Sequence, residues 1–150
     1  MKHLILTLIL LTFSYSQTYT FLVKKYDKEI ELESKIIAKI AESSIKKEIV
    51  IFIPEMTDME KNIYSKIFTI GKNCEESNFI FVKKNIEKNI CQNKNKLYFT
   101  NNYKKLLSNK EYFGAFFWSK SRPNIVFIKN RLAQHNISLP SSYEQFVEDL

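Results

Sequence analysis

Two cysteines, Cys74 and Cys91, carry the clearest chemical signal in the sequence. An even number of cysteines in an exported chain favours a disulfide. Cys74 stands five residues before Phe79, and Cys91 stands five residues before Lys96. The two sulfurs would therefore meet if the segments that begin there were neighbouring parallel strands. Such a bridge would add about 3 kcal/mol of stability. The alternatives are two free thiols, or a cysteine that acts in redox or nucleophilic chemistry.

Other residue types that perform catalysis are sparse. Gly71 and Gly114 are the only glycines, whereas a phosphate-cradling loop or a dinucleotide-binding turn needs several glycines close together. After the apolar N-terminal segment, His135 is the only histidine, too few for a usual zinc site. We therefore predict a protein that is not an enzyme and that has no metal or cofactor. A small hydrolase that uses His135 is an alternative.

Carboxylates are more numerous and could in principle form an acid pair. The candidates are Glu29, Glu31, Glu33, Glu75 and Glu76. Their positions along a helix face and in a loop predict that they are solvated.

The residues best suited to recognise a partner follow an aromatic run in "GAFFWSKSRPN". Trp118 precedes Lys120 and Arg122, and tryptophan and arginine are enriched in protein interfaces. Arg131 follows the next apolar segment, and we expect it at the same edge. We therefore predict Trp118, Lys120, Arg122 and Arg131 as binding residues. Alternatively, the rings face the core and the hairpin tip, 119–124, is an ordinary solvated turn.

The N-terminal residues predict export. "MKH" is a basic start, residues 4–13 are nearly all apolar, and Ser14-Tyr15-Ser16 has the small-residue spacing of a signal-peptidase site. The apolar run is shorter than the roughly 20 residues that span a bilayer. We predict a signal peptide over 1–16, one domain over 17–150, a periplasmic or secreted location, and no membrane span after cleavage.

The charge balance is basic, with a formal net charge of +7. A positive surface can attract nucleic acid, anionic lipid or an acidic protein face. The lysines are scattered singly and in pairs, as on an ordinary solvated surface. Because an exported protein does not meet the nucleic acid of the cell interior, we expect no nucleic-acid partner.

The hydrophobic periodicity alternates between helices and strands. It predicts helices over 25–45, from Thr57 to Gly71, over 101–112 and after Ser141 or Ser142, and strands over 48–54, 78–83, 96–100, 115–118 and 125–128. Thr57 and Glu60 have the spacing of a capping box. The last helix would bury Tyr143, Phe146, Val147 and Leu150. The predicted fold is α/β, with a mostly parallel sheet in two or three layers, a C-terminal antiparallel hairpin and a closing helix.

Several quoted segments resemble the YfiR-like periplasmic regulatory proteins. These are the helix "LESKIIAKIAESSI" before "EIVIFIP", Cys91 ahead of "KLYFT", the glycine of "GAFFW", the strand "NIVFIKNRL" and the segment after "ISLPSS". The resemblance implies a non-enzymatic periplasmic protein that binds and restrains the outer part of an inner-membrane signalling protein, such as a diguanylate cyclase. It implies Cys91 as a half-cystine, and homodimerisation stays open. The alternative function is a small-ligand or anion-binding domain that presents Lys120, Arg122 and Arg131.

Overall fold

The computed structural model of the chain describes residues 26–83, 91 and 96–150. The predicted signal peptide, 1–16, lies outside the described residues, as do residues 84–90 and 92–95 between the predicted strands 78–83 and 96–100. Within the described residues, no helix has the length and apolar character needed to cross a membrane.

Helices form where the apolar residues recur at helical spacing. Residues 26–44 form α1, which buries Ile30, Ile37, Ile40 and Ala41 on one face. The later helices are α2 (Asp58–Tyr64), α3 (Tyr103–Ser108), α4 (Lys129–Gln134) and a 3₁₀ helix (Ser141–Phe146). The capping box at α2 is confirmed, because the Thr57 hydroxyl accepts from the Glu60 amide and the Glu60 carboxylate accepts from the Thr57 amide.

The strands form one mixed sheet. They are β1 (Val50–Phe52), β2 (Thr69–Ile70), β3 (Phe79–Val82), β4 (Leu97–Thr100), β5 (Tyr112–Ser119), β6 (Arg122–Ile128) and β7 (Val147–Glu148), in the order β2-β1-β3-β4-β5-β6-β7. All neighbouring pairs are parallel except the β5–β6 hairpin. The predicted α/β class, the mostly parallel sheet and the antiparallel hairpin are confirmed.

The core covers both faces of the sheet. Side chains of β3 alternate between the two faces: Phe79 and Phe81 pack with α1 and α2, whereas Ile80 and Val82 pack with Leu106 of α3. Because β3 is buried on both faces, its sequence is a continuous apolar run, as is typical of central parallel strands.

Two predicted helices are shorter than expected. The apolar stripe after Thr57 does not continue as one helix, because α2 ends at Tyr64 and Ile70 belongs to β2. Pairing with β1 holds this segment extended, and the Gly71 amide donates to the Ile51 carbonyl. Similarly, α3 ends at Ser108, and Tyr112 already begins β5.

The closing helix is the clearest difference from the sequence-based prediction. Residues Ser141–Phe146 form a 3₁₀ helix, and Val147 and Glu148 then form β7 beside β6. Tyr143 still packs on the sheet, with its ring 5.7 Å from that of Phe127. Leu150, predicted to be buried, is 61% exposed. Helix α4, which follows β6 directly, was not predicted.

The disulfide is confirmed at the amino edge of the sheet, where the parallel strands begin. Cys74 and Cys91 are bonded, with their Cα atoms 5.8 Å apart. The strand adjacency behind that prediction is also present, since β3 and β4 are parallel neighbours. Lys96, just before β4, extends its ammonium group to the carbonyls of Cys74 (2.8 Å), Glu75 (2.6 Å) and Ser77 (2.5 Å). The loop that carries Cys74 is therefore held by both a covalent bond and a buried cation.

Candidate functional site

The carboxyl edge of the sheet contains a topological switch point. From β1 the chain passes to β2 on one side, and it then crosses to β3 on the other side. In open α/β sheets, ligands bind at such a point, beyond the carboxyl ends of the two strands. Here Lys83 directly follows β3, and the N-terminus of α2 follows β1.

A buried group of charged side chains lies at this point. Lys83 donates to one carboxylate oxygen of Glu33 and to one of Glu60, at 2.6 Å in each case. The hydroxyl of Tyr64 donates to the same Glu33 oxygen, at 2.8 Å. The side chains of Glu33, Glu60 and Lys83 are only 8%, 7% and 12% exposed. We call Glu33, Glu60, Tyr64 and Lys83 the buried ionic cluster.

The electrostatics of the cluster hold Glu60, Tyr64 and Lys83 each in one protonation state. Burial lowers the pKa of Lys83, but the Glu33 and Glu60 carboxylates outweigh this and leave the pKa above its ordinary value. Burial raises the pKa of Glu60, but hydrogen bonds from Lys83 and Thr57 leave it below its ordinary value. Burial, together with the nearby carboxylates, strongly raises the pKa of Tyr64. Lys83 is therefore protonated, Glu60 ionised and Tyr64 neutral across the physiological range.

The β5–β6 hairpin forms a wall beside the cluster. Strand β4 ends at Thr100, opposite Ala115, so residues 116–119 of β5 pair only with β6 among the described strands. At about 3.3 Å per residue, this arm extends roughly 13 Å beyond the end of β4. We call residues 116–125 the hairpin arm. It carries Trp118, whose ring packs edge-on against Phe116 at 5.8 Å.

The hairpin arm, helix α1 and the ionic cluster enclose a cleft of about 180 Å³. Its lining includes Tyr26, Glu29, Glu33, Lys83, Asn101 and Trp118. We call this space the carboxyl-edge cleft. It combines aromatic surface with ionised side chains, and this combination suits recognition of a polar or charged group.

The predicted binding residues separate into three environments. Trp118 lines the carboxyl-edge cleft. Lys120 and Arg122 are exposed at the tip of the hairpin arm, where Lys120 (φ 49°) and Ser121 (φ 60°) form the turn in the left-handed region.

Arg131 does not share that edge. It lies in α4, beyond the other end of β6, about 20 Å along the strand from Arg122. Its guanidinium is buried and donates to the carbonyls of Leu106 (2.7 Å), Asn109 (3.0 Å) and Tyr112 (2.7 Å). These bonds join α4 to α3, to the loop after it and to the start of β5, so the role of Arg131 in this structure is to hold the fold.

Sequence reasoning missed the buried ionic cluster. Glu33 was interpreted as solvated, Glu60 only as half of a capping box, and Lys83 as one of many surface lysines. The available signal was that Lys83 directly follows a wholly apolar strand, where parallel sheets place functional residues. Glu33 is 50 residues away from Lys83 in sequence, so its contribution could not be read locally.

A second cavity, of about 240 Å³, contains His135. The other described residues that line it are Lys96, Tyr98, Lys110 and Glu111, and none of these is a serine or cysteine nucleophile. Within the described parts of the chain, no three His, Cys, Asp or Glu side chains are grouped as metal ligands would be.

Fold and cleft together define an α/β protein with an open, mostly parallel sheet and a candidate binding site at its switch point. The chain matches no family model, no curated protein and no solved structure. The resemblance to YfiR-like regulators consequently rests on the sequence segments alone and stays a prediction.

Proposed function

We propose that this protein is an exported, non-enzymatic binding protein that recognises an envelope protein through the carboxyl-edge cleft and the hairpin arm. The observation that carries the proposal is the extension of the arm beyond β4, which sets Trp118 over the buried ionic cluster. Phe116 of the arm is buried in the core, whereas Trp118 is half-buried and Lys120 and Arg122 are exposed, so these three side chains are available for a partner. In line with the YfiR-like segments, we propose that binding restrains an inner-membrane signalling protein.

The protonation states in the cleft support binding rather than proton transfer. A general acid or base works best with a pKa near the operating pH. The pKa of Lys83 is raised and that of Glu60 is lowered, so both move away from neutrality. The cluster therefore acts as a fixed set of charges, which can orient a partner but is poorly suited to exchanging protons.

The disulfide supports the proposed location. Disulfides persist in oxidising compartments and are rare in the cytosol. Cys74 and Cys91 are both used in the bridge, and neither lies at the carboxyl-edge cleft. The bond therefore fits a stabilising role in an extracytoplasmic protein.

The anion-binding alternative receives less support. Its three basic residues do not form one site, because Arg131 is buried at the opposite end of β6 from Lys120 and Arg122. The hydrolase alternative lacks a serine or cysteine among the described residues that line the cavity around His135. Neither geometry favours these functions over binding at the cleft.

Charge reversal at the tip tests the proposal without disturbing the core. Lys120→Glu together with Arg122→Glu changes only exposed side chains, so the variant should fold as the parent does. We expect it to lose at least tenfold in recovery of the envelope partner that co-purifies with the tagged protein, because a hot-spot contact contributes about 2 kcal/mol or more.

The matched control is Lys66→Glu, which reverses an exposed charge between α2 and β2 at the amino edge. It should leave recovery of the partner unchanged. Trp118→Ala provides a second probe from inside the cleft, with its fold checked by circular dichroism. If the tip variant and Trp118→Ala are both folded and both recover as much partner as the parent protein, the hairpin arm is ruled out as the binding surface.

A further inference from the structure

The carboxyl-edge cleft carries more negative than positive charge, although the whole chain is basic. Among the described residues that line it, three are carboxylates, Glu29, Glu33 and Glu60, and one is an ammonium, Lys83. The chain as a whole has a formal net charge of +7, so this acidic surface is not the average surface of the molecule. Lys83 neutralises one of the three carboxylates, and the excess negative charge in the cleft favours a cation.

The carboxylate oxygens differ in how far they are already used. Both oxygens of Glu60 have partners, since one accepts from Lys83 and the other from the backbone and hydroxyl of Thr57. Glu33 uses one oxygen for both Lys83 and Tyr64. Among the described residues, the second oxygen of Glu33 accepts no hydrogen bond, although its side chain is only 8% exposed. A buried carboxylate therefore keeps acceptor capacity inside the cleft.

The size of the cleft restricts what can fill it. Pockets for small molecules and cofactors usually measure about 300–1,000 Å³. The carboxyl-edge cleft measures about 180 Å³. It is therefore suited to a single side chain, and the rings of Trp118 and Tyr26 in its lining offer the aromatic faces that attract ammonium and guanidinium groups.

We propose that the carboxyl-edge cleft receives the side chain of one lysine or arginine from the protein partner. The cationic group lies against Glu33 and Glu29, and its methylene stem lies along Trp118. This inference rests on the proposed function, because a protein partner is needed to supply the side chain. The affinity of the cleft for a cation can be tested without that partner.

Trp118 is the only tryptophan of the chain, so tryptophan fluorescence reports directly on the cleft. The probes are Nα-acetyl-lysine amide and Nα-acetyl-arginine amide, with Nα-acetyl-norleucine amide as the uncharged match. We expect one of the charged amides to change the emission of the purified protein saturably, with a Kd in the millimolar range, and the norleucine amide to have no saturable effect. Equal effects of charged and uncharged amides, or no saturable change, would overturn the proposal.

Variants locate the response. Glu29 is only partly buried, so Glu29→Gln should preserve the fold and weaken binding of the charged amide about fivefold. Glu144→Gln removes an exposed carboxylate from the 3₁₀ helix and should leave binding unchanged. An unchanged Kd in Glu29→Gln would contradict the role of the acidic lining.

Methylammonium tests whether the cleft recognises only a small free amine or the whole side chain of a lysine or arginine. If it binds as tightly as the lysine amide, the stem contributes nothing and the assignment to a protein side chain is wrong. The amide-binding result and the partner-recovery result of the tip variant can be read separately. If the tip variant loses partner recovery but the parent protein binds no amide, the interface is retained and the inserted cation is rejected. Amide binding without loss of partner recovery would retain the cation site and reject the proposed function.

Discussion

Two buried lysines at opposite edges of the sheet show how differently the same side chain can be used. Lys96, at the amino edge, donates to three backbone carbonyls beside the disulfide. Lys83, at the carboxyl edge, donates to two carboxylates that line a cleft. An ammonium group has three protons, so the hydrogen bonds of Lys96 use its full donor capacity.

The partners of the two lysines explain why one edge is structural and the other is a candidate site. Backbone carbonyls carry no net charge and do not titrate, so protonation does not remove the partners of Lys96. Carboxylates carry charge, so the cluster around Lys83 can attract a cation in the cleft, and Glu60 loses its charge only as the pH falls through its lowered pKa. The two lysines therefore differ in their partners: the carboxylates bound by Lys83 line the carboxyl-edge cleft, whereas Lys96 binds backbone carbonyls of one loop.

Replacing Lys83 should have the largest effect. Lys83→Met leaves Glu33 and Glu60 buried without their cation, and breaking a buried ion pair in this way costs about 3–5 kcal/mol. We expect the free energy of unfolding, measured by urea titration at neutral pH, to fall by that amount.

Lys96→Met sharpens the comparison. It should also destabilise the protein, because it leaves three carbonyls without their donor. Without Lys83, burial raises the pKa of Glu60, so in mild acid this carboxyl should become protonated and the deficit of Lys83→Met should shrink. The deficit of Lys96→Met should change much less. Equal behaviour of the two variants with pH would remove the distinction between the edges.

Removing the disulfide should cost about 3 kcal/mol, as expected for a loop of 17 positions. The double variant Cys74→Ala with Cys91→Ala changes only the amino edge. Its unfolding midpoint should fall, while the tryptophan emission of the folded protein stays that of the parent, because Trp118 lies at the other edge. A shift in that emission would show that the two edges are coupled.

The change in stability of the parent protein with pH should be smaller than the loss in Lys83→Met or in the disulfide variant. Glu60 has a pKa below its ordinary value of 4.5, so its stabilisation is complete above 4.5 and is lost as the pH falls through the lowered value. Lys83 has a pKa above its ordinary value of 10.5, so its stabilisation is complete below 10.5 and is lost as the pH rises further. Urea midpoints should form a plateau between these limits, and Lys83→Met should lose the alkaline decline attributable to Lys83.

The turn of the hairpin arm should give the smallest effect, and in the stabilising direction. Lys120 and Ser121 both have positive φ. This conformation costs a residue other than glycine about 1 kcal/mol or more. Asparagine followed by glycine suits such a turn. Lys120→Asn with Ser121→Gly should therefore raise the free energy of unfolding by about 1 kcal/mol, and a decrease would show that the native turn is not strained.

Local patterns predicted much of the fold. The continuous apolar runs gave β3 and β4, and their spacing from Cys74 and Cys91 gave the disulfide. The end of the chain was misjudged because Val147 has the spacing of a helix face but pairs with Phe127 of β6. That choice depends on an available sheet edge, which the local sequence does not contain.

The candidate site was only partly predictable, for a related reason. Trp118 stood out by composition, and the structure places it at the cleft. The charges beneath it come from three separate segments, with Glu33 in α1, Glu60 in α2 and Lys83 after β3. Their burial follows from packing helices on the sheet. Side chains that look solvated in sequence can thus become a site when the fold closes around them.

Site-specific photocrosslinking in the cells that make the protein tests the central claim most directly. A photoreactive amino acid replaces Lys120 at the hairpin tip in one protein and Glu75 at the amino edge in another, both at exposed positions. We predict a discrete crosslinked envelope protein from position 120 and none of it from position 75. The same product from both positions, or from position 75 alone, would contradict recognition through the carboxyl edge.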